Sequence, residues 1–348
     1  MEELSYSSLV KKYDNFLVPA MVLKLGGIST KLLDIKVSRV TVQLSVDSVC
    51  SASFTLEDVY DPVSSSLNAA VKNVLKLGST VSIELGYGSS TKAVFWGYVH
   101  ELSYSYSEAP SIAVTALDLR RLMMMNKENR TFTDKSYTEI FKEVMSKYSK
   151  IYKSVKADII TGKEEQVVQT VSDHDFVVGE ICKKTNKEFY VLAGDVYLQT
   201  KGKNPLPLIT LTWGESLLQV DLNRKYRNEE IVIYSVDEKT ILTGKEKVKS
   251  KGKFTSATTS PIRKEILNHD LKDKNSVSAV AEAEVTKSEA EDQTGSGSCI
   301  GLPELVPGRY INLAKLGIDG SSPMKVFIKS VKHSFGTGGF TTDFTIGG

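Results

Sequence analysis

This sequence is poor in cysteine, which excludes one large class of small secreted folds. Its 348 residues include three cysteines, Cys50, Cys182 and Cys299, which are far apart in the chain. An odd number of widely spaced cysteines argues against a disulfide framework and fits synthesis in a reducing cytoplasm.

Histidine is almost as scarce, which bears on metal and acid–base chemistry. The four histidines are isolated from one another and from the cysteines: His100, His174, His269 and His333. No pair has the spacing that places two imidazoles on one helix face, and no cluster has zinc spacing. Asp173, His174 and Asp175 could supply a ligand pair, but we favour a helix start whose aspartates complement the helix dipole. The sequence therefore predicts no metal site and no cofactor.

The chain also lacks a charge excess and a long hydrophobic run. Lys and Arg total 44 against 42 Asp and Glu, a net charge of +2, which gives no general attraction for nucleic acid or acidic membranes. No run approaches the roughly 20 apolar residues of a membrane helix. Glu2 and Glu3 stand where a signal peptide would be basic. We expect no membrane association, and a length sufficient for two or three domains.

What the sequence does contain is a strand pattern that occurs twice. In the last fifty residues, β runs at 310–314, 325–333 and 340–346 alternate with glycine-rich turns. Similar runs and turns occupy 77–116, and Val-Phe-x-x-x-Val occurs in both regions, starting at Val94 and Val326. This repetition predicts one β unit used twice, as a pair of related small barrels. Two unrelated meanders with similar turns are the alternative.

Further strands are predicted around these two regions. Alternation at 21–25, 37–46 and 52–56 indicates strands of the first barrel, and Asp61 is expected to begin a short helix. Residues 1–19 have loose helical spacing, although a strand that pads the first barrel fits equally well. The run of methionines at 123–125 is interpreted as core filling at a domain boundary rather than as an adaptable contact surface.

The middle of the chain changes to a helical period. Ser136 and Glu139 form a capping box before an apolar helix face, and Ser172 with Asp175 marks a second helix start. Residues 187–200 have the pattern of a hairpin. Together these predict a small α/β module.

The last part returns to β structure and includes a polar stretch. Strands are predicted at 208–213, 217–222 and 231–236, followed by a lysine-rich segment at 239–253. Because no aromatic residues interleave these lysines, we interpret the segment as a solvated loop or irregular ribbon rather than a nucleic-acid groove. Contact with an acidic partner stays open. Residues 276–292 are expected to form a helix that Gly295 stops.

These patterns predict an α+β, mainly β fold. Two similar small antiparallel β-barrel domains flank a small α/β module, and the second barrel carries a helix-containing insertion. The expected divisions are an N-terminal arm at 1–19, a first barrel at 20–125, the α/β module at 126–200 and a second barrel at 201–348, with the insertion at about 239–296.

No catalytic pattern stands out among the remaining polar residues. Cys299 with His333 could act as nucleophile and base, but a buried cysteine in a barrel strand is far commoner. Glycines at 295–297 follow a helix and precede a strand, the reverse of a phosphate loop. Residues 214–216 lack the second glycine of a nucleophile elbow. Glu84, Glu101 and Asp118 could be imagined as a glycosidase-like carboxylate pair, but no accompanying motif supports it. We predict no catalytic, cofactor or metal residues, and the sequence does not place the subunit interface.

Several motifs, in order, give the sequence a recognisable resemblance. They are Leu117 to Met123, Arg130 to Asp134, Leu211 to Leu217, Gly297 to Leu305 followed by Pro307 and Gly308, Val331 to Phe335, and Gly339 to Phe344. In these the chain, from about residue 20 to its end, resembles the late-control-gene-D proteins of phage tails. Those proteins are similar to the central baseplate hub of contractile phages and to the N-terminal half of VgrG in type VI secretion.

The resemblance implies a non-enzymatic structural role. Three copies would form a ring of six barrels that joins a six-fold tail tube to a three-fold spike. The implied partners are two further copies, the tube protein, a separate spike protein and inner baseplate components, with nucleic acid only as passing cargo. The implied location is the baseplate of a virion, tailocin or related particle assembled in the bacterial cytoplasm. A tail-associated peptidoglycan hydrolase and a cell-surface adhesin are the alternatives.

Overall fold

The computed structural model describes residues 3–61, 63–200, 204–237, 240–249, 255–268, 274, 277–278, 280–282, 284–285, 293–318 and 322–347. Over these residues the chain is mainly β, as predicted. The strands are β1 Pro19–Leu25, β2 Ile28–Ser29, β3 Lys36–Ser45, β4 Ser51–Glu57, β5 Tyr60–Asp61, β6 Ser66–Leu67, β7 Thr80–Tyr87, β8 Ser90–Ser105, β9 Ser111–Leu117, β10 Arg130–Lys135, β11 Ser154–Ala157, β12 Glu164–Gln169, β13 Lys187–Leu192, β14 Asp195–Thr200, β15 Pro207–Thr212, β16 Leu217–Arg224, β17 Asn228–Asp237, β18 Thr240–Lys249, β19 Ile262–Leu267, β20 Gln293–Ile300, β21 Arg309–Ala314, β22 Met324–Gly336 and β23 Gly339–Ile346.

The helices are short and lie between the strands. They are α1 Tyr6–Lys12, α2 Ala69–Val74, α3 Leu119–Met125, α4 Tyr137–Ser146, α5 Asp173–Phe176 and α6 Lys183–Thr185, with 3-10 turns at Asp14–Phe16 and Thr30–Leu33 and a π-helical turn at Val177–Cys182. The residues described between 274 and 285 are also helical, where the insertion helix was predicted. No helix in the described ranges has the length and apolar character needed to cross a membrane.

Thirteen strands form one sheet that runs through most of the molecule. Its order is β16-β20-β23-β22-β3-β4-β9-β8-β7-β1-β2, with β21 also paired to β22 and β15 parallel to β21. The α+β, mainly β class is thus confirmed. Among the described strands, however, the ladder closes neither half into a complete barrel. Instead β3 of the first half pairs with β22 of the second, so the two halves share one continuous sheet.

One large core lies under this sheet. Inward positions of β3 and β4 alternate with outward polar ones, as the pattern of Val40, Val42 and Leu44 predicted, and they pack with inward residues of β20 to β23. The same core includes Leu9 and Tyr13 of the N-terminal arm. The first nineteen residues therefore begin with a helix, which resolves the choice left open above. The domain boundaries stay a prediction.

A second core belongs to the middle of the chain. α4 packs against the sheet β11-β14-β13 and the pair β10–β12. The predicted capping box is present: Ser136 Oγ accepts from the amide of Glu139, whose carboxylate accepts from the Ser136 amide. Ser172 caps α5 with a single hydrogen bond, which its hydroxyl accepts from the amide of Asp175. Met123 is fully buried in this core while Met125 is exposed, so core filling describes only part of the methionine run.

Two local predictions about helix ends were wrong. Asp61 lies in the short strand β5, and the helix starts eight residues later at Ala69. Gly295 lies inside β20 rather than ending a helix. A Cβ at Gly295 would overlap the backbone of Asp221 on the neighbouring strand, so glycine is required there by close approach of two strands.

The lysine-rich segment was also misread where it is described. Residues 240–249 form β18, which is antiparallel to β17, while β19 pairs with β17 on the other side. Val248 packs in a small core with Ile231, Ile233 and the helical residues Val277 and Ala281. Lys245 and Lys247 point to solvent on alternate positions, and Lys247 lies opposite Glu230. Lys245, Lys247 and Lys249 occupy every second position of β18, a strand period that the lysine-rich composition obscured.

Candidate assembly surfaces

The outward side of the large sheet is lined by hydroxyl side chains. Successive residues of a strand point to opposite faces of the sheet. The residues that alternate with the buried ones therefore lie on one surface, which extends across eight strands from β16 to β8. We call this surface the hydroxyl face. Its serines and threonines are Thr41, Ser51, Ser53, Thr55, Thr115, Ser296, Ser298, Ser330, Ser334, Thr341 and Thr345. All of them are exposed or partly exposed.

The hydroxyl face carries few charges. Lys332 lies opposite Asp343 on the neighbouring strand, so these two charges offset one another. Asp221 and Glu101 lie toward its two sides, on β16 and β8. A wide, nearly neutral surface of short hydroxyl side chains offers hydrogen bonds to water but no strong attachment point for a polymer. Sequence reasoning missed this surface, although hydroxyl residues at every second position of β4 (Ser51, Ser53, Thr55) and β20 (Ser296, Ser298) were a readable signal.

The large sheet also has unpaired edges. β16 is its last strand on one side and pairs only with β20 among the described strands. On the other side β1 pairs with β7, while β2 covers only Lys24 and Leu25. An open strand edge presents a row of unpaired amides and carbonyls that a strand from another chain can pair with. Exposed apolar residues accompany both edges, Leu17 and Val18 before β1, and Trp213 and Leu218 near β16.

A buried ion pair anchors the large sheet to the middle of the chain. Arg120 and Asp118 are almost fully buried, and the Nη2 to Oδ2 distance is 2.7 Å. Asp118 Oδ2 also accepts from the amide of Cys50 at 2.8 Å, and Arg120 Nη2 contacts Cys50 Sγ at 3.0 Å. Burial raises the pKa of Cys50 to about 12, so this thiol stays protonated at neutral pH. The predicted carboxylate candidate Asp118 is therefore a structural residue.

The other carboxylate candidates occupy separate settings. Glu84 on β7 accepts a hydrogen bond from Thr91 at 2.8 Å. Glu101 is exposed on β8, opposite Thr115 of the hydroxyl face. Glu84 is partly exposed and Glu101 is exposed, so neither lies in the buried, apolar pocket in which a general-acid carboxyl is found.

Asp173 is a buried anchor rather than a metal ligand. Tyr148, Gln169, Asn126 and Arg130 all donate hydrogen bonds to its carboxylate. Burial acts to raise the pKa of Asp173, but the hydrogen bonds from Gln169, Tyr148 and Asn126 outweigh it, so the pKa is lowered. In the part of the chain that the structure describes, no three acidic, cysteine or histidine residues converge as metal ligands. His269 lies outside the described residues.

Cys299 and His333 are close to the same threonine but are sealed from solvent. Thr342 of β23 lies opposite Cys299 on one side and opposite His333 on the other. Both are fully buried, and burial raises the pKa of the Cys299 thiol. His333 Nδ1 lies 2.9 Å from Thr342 Oγ1. With a residue between them and no access for a substrate, the pair belongs to the core and not to a catalytic site.

The motif at 214–216, which was compared above with a nucleophile elbow, forms a turn. Gly214 to Ser216 connect β15 to β16, and the Ser216 hydroxyl accepts a hydrogen bond from the Thr212 amide at 2.9 Å. Ser216 is fully buried, whereas a nucleophile elbow presents its serine between a strand and a helix.

The fold defined by this sheet is that of tail proteins. A 43 kDa tail protein of prophage MuSo2 from Shewanella oneidensis superposes with a TM-score of 0.67 at 14% identity, covering 94% of this chain and 98% of that one. A tail protein from Neisseria meningitidis MC58 gives a TM-score of 0.67 at 12% identity, with 95% and 97% covered. An Escherichia coli type VI secretion component with structural similarity to the T4 tail proteins gp27 and gp5 gives 0.56 at 11% identity, with 93% and 76% covered.

The family assignment comes from the sequence itself. Residues 22–336 match the family described as Alg8 N-terminal domain, and the chain belongs to that family. The description names a domain and states no activity. No curated protein matches the sequence.

Proposed function

We propose that this protein is a structural subunit of the tail or baseplate of a contractile injection particle, within the late-control-gene-D group of hub proteins. Three copies form a ring that adapts a six-fold tail tube to a three-fold spike supplied by a separate protein. The ring has no catalytic role. The similarity of the whole fold to tail proteins over more than nine-tenths of the chain supports this role.

The observation that carries the proposal is the hydroxyl face of a sheet whose strands β16 and β1 each have a largely unpaired edge among the described residues. In the ring, this face lines the central channel, and β16 of one copy lies beside β1 of the next. Edge-to-edge pairing would extend the ladder around the ring and remove the exposed edges. A nearly neutral hydroxyl lining would let a folded or extended cargo pass without strong electrostatic attraction to the channel wall.

The burial of the alternative catalytic residues favours a structural role over the hydrolase. Cys299 and His333 are both fully buried, and Asp118 is engaged by Arg120. Nothing on the described surface favours the adhesin specifically. The tube protein, the spike protein and inner baseplate components remain the proposed partners, and the proposed location is the baseplate of a virion or tail-like particle.

The test is the mass and shape of the protein, alone and with its neighbours. Native mass spectrometry and electron microscopy should show trimers with a central opening, formed by the chain alone or after addition of the tube and spike proteins of the same particle. A protein that stays monomeric in both conditions would contradict the ring. Clearing of purified cell walls by the wild-type protein would support the hydrolase instead.

A further inference from the structure

Residues 3–13, which belong to the N-terminal arm and are called the arm below, contact an edge of the large sheet through a single β-bridge at Leu4. The Leu4 amide donates to the Leu208 carbonyl at 2.7 Å, and Leu4 forms a parallel bridge with Ile209 of β15. The Thr210 hydroxyl donates to Glu3 Oε1 at 2.7 Å. The arm therefore covers the edge of β15 that faces away from β21.

The helix of the arm is held by a buried carboxylate from the far end of the chain. Tyr13 Oη and Lys12 Nζ both donate to Glu304 Oε1, each at 2.7 Å. Glu304 is 4% exposed, and Leu9 and Tyr13 are buried in the large core. The seat of the arm thus consists of β15 and the segment around Glu304 in the second half of the chain, together with Tyr87 of β7 in the first half, whose ring centroid is 5.5 Å from that of Tyr13.

The connection from the arm to β1 is short and strained, and it is exposed except at Phe16, whose ring packs against Tyr6, Tyr13 and Tyr87. Asp14, Asn15 and Phe16 are consecutive and all left-handed, with φ of 44°, 55° and 59°. Asp and Asn tolerate this conformation, but an aromatic residue adopts it only under constraint. Leu17 and Val18, which follow, are 70% and 64% exposed. The chain bends sharply here in order to place the arm on its own second half.

We propose that in the assembled ring the arm is exchanged, so that residues 3–13 of one copy occupy the seat of the next copy. The occupant is a second copy of this chain, and the inference rests on the proposed ring. The contacts of the arm with β15, Glu304 and Tyr87 exist in identical form in the neighbour, so exchange keeps them. It gives up the ring contacts of Phe16 with Tyr6 and Tyr13 and releases the strained bend. The bend leads directly into β1, the edge that faces the adjacent copy in the ring.

The exchange can be tested with single cysteines on two differently tagged chains. One chain carries E3C and the other carries T210C, since these side chains touch, and the native cysteines are all buried. After mixing, assembly and treatment with a short bismaleimide, which bridges the gap left when the Glu3 side chain is shortened to cysteine, exchange predicts a covalent heterodimer. The matched control pair is S330C with T345C, whose side-chain oxygens lie 2.6 Å apart on adjacent strands of one chain and should give no heterodimer.

A variant of the bend provides a second test. Proline cannot adopt the φ of 55° found at Asn15, so N15P opens the bend. Exchange predicts that N15P in the E3C chain raises the heterodimer fraction at least twofold. Trimers in which an E3C/T210C chain closes only within itself, with no heterodimer from mixed chains, would overturn the exchange and leave the ring standing. A protein that stays monomeric even with tube and spike proteins would overturn both.

Discussion

His333 of β22 lies directly opposite Val42 of β3, at the ladder that joins the two halves of the sheet. Both side chains are fully buried. The same row continues through Thr342 to Cys299 on one side and to Ala52 on the other. An imidazole therefore sits in the middle of a core row that would otherwise be apolar or weakly polar, and it is held there by Thr342. Such a group is compatible with the fold only while it is neutral.

This placement makes the junction sensitive to acid. Burial lowers the pKa of His333 to about 3, whereas an unfolded histidine titrates near 6.5. As pH falls below about 6.5, the unfolded chain takes up the proton first, so the stability contributed by neutral His333 is lost between pH 6.5 and about 3. From pH 7 to 5 the free energy of unfolding should fall by about 2 kcal/mol more for the wild type than for H333Q.

Urea unfolding at the two pH values measures this difference. The interval lies above the range in which buried carboxylates such as Asp173, whose pKa is lowered, begin to titrate. An identical pH dependence in both proteins would show that His333 is not the group responsible.

Removing the charge of Asp118, which is paired with Arg120 in the core, should destabilise the protein much more than removing the charge of an exposed ion pair. D118N keeps the size and the helix-capping ability of the side chain but leaves the guanidinium of Arg120 buried without a counter-charge. We expect a loss of about 3–5 kcal/mol in the free energy of unfolding by urea. The matched control is E57Q, which breaks the exposed pair of Lys36 and Glu57, 3.4 Å apart, and should have no measurable effect. Equal effects of the two variants would contradict the structural role of Asp118.

Much of the local structure was predictable because its signals are local. The capping box of Ser136 and Glu139 lies within four residues, and the alternation of Val40, Val42 and Leu44 directly reports one buried face. The resemblance to tail proteins came from short motifs in order, and the solved structures share the fold.

The failures were non-local. Gly295 was taken as a helix stop because glycine has that role locally, but its neighbour across the sheet, Asp221, decides its role here. The lysines on β18 gain a strand partner in β17. The pairing of β3 with β22 joins residues almost three hundred positions apart, and no local pattern specifies it. The hydroxyl face follows from that pairing and could not be assembled without it.

The close packing of Gly301 against the ring of Phe340 allows a test of the core packing in the second half of the chain. A Cβ at Gly301 would overlap the ring of Phe340, which is buried. G301A should therefore destabilise the protein by about 1–3 kcal/mol, because the ring has to leave its rotamer or the strands have to separate. Thermal and urea unfolding report the change. In G338A the added methyl meets nothing within 4 Å, so its stability should match the wild type. A neutral G301A would mean that the ring moves freely.

The open edge at β16 predicts where association can be blocked without unfolding. Leu218 is 52% exposed on this strand, and a charge on an edge strand is the usual natural protection against pairing with another chain. L218K should leave circular dichroism and the melting temperature unchanged but weaken association between copies at least tenfold, about 1.4 kcal/mol. Sedimentation equilibrium, with tube and spike proteins present if they are needed for assembly, measures the loss. I159K is the matched control, since Ile159 is 83% exposed in the α/β part of the chain and away from both edges. If L218K associates as strongly as I159K, β16 does not form the contact between copies.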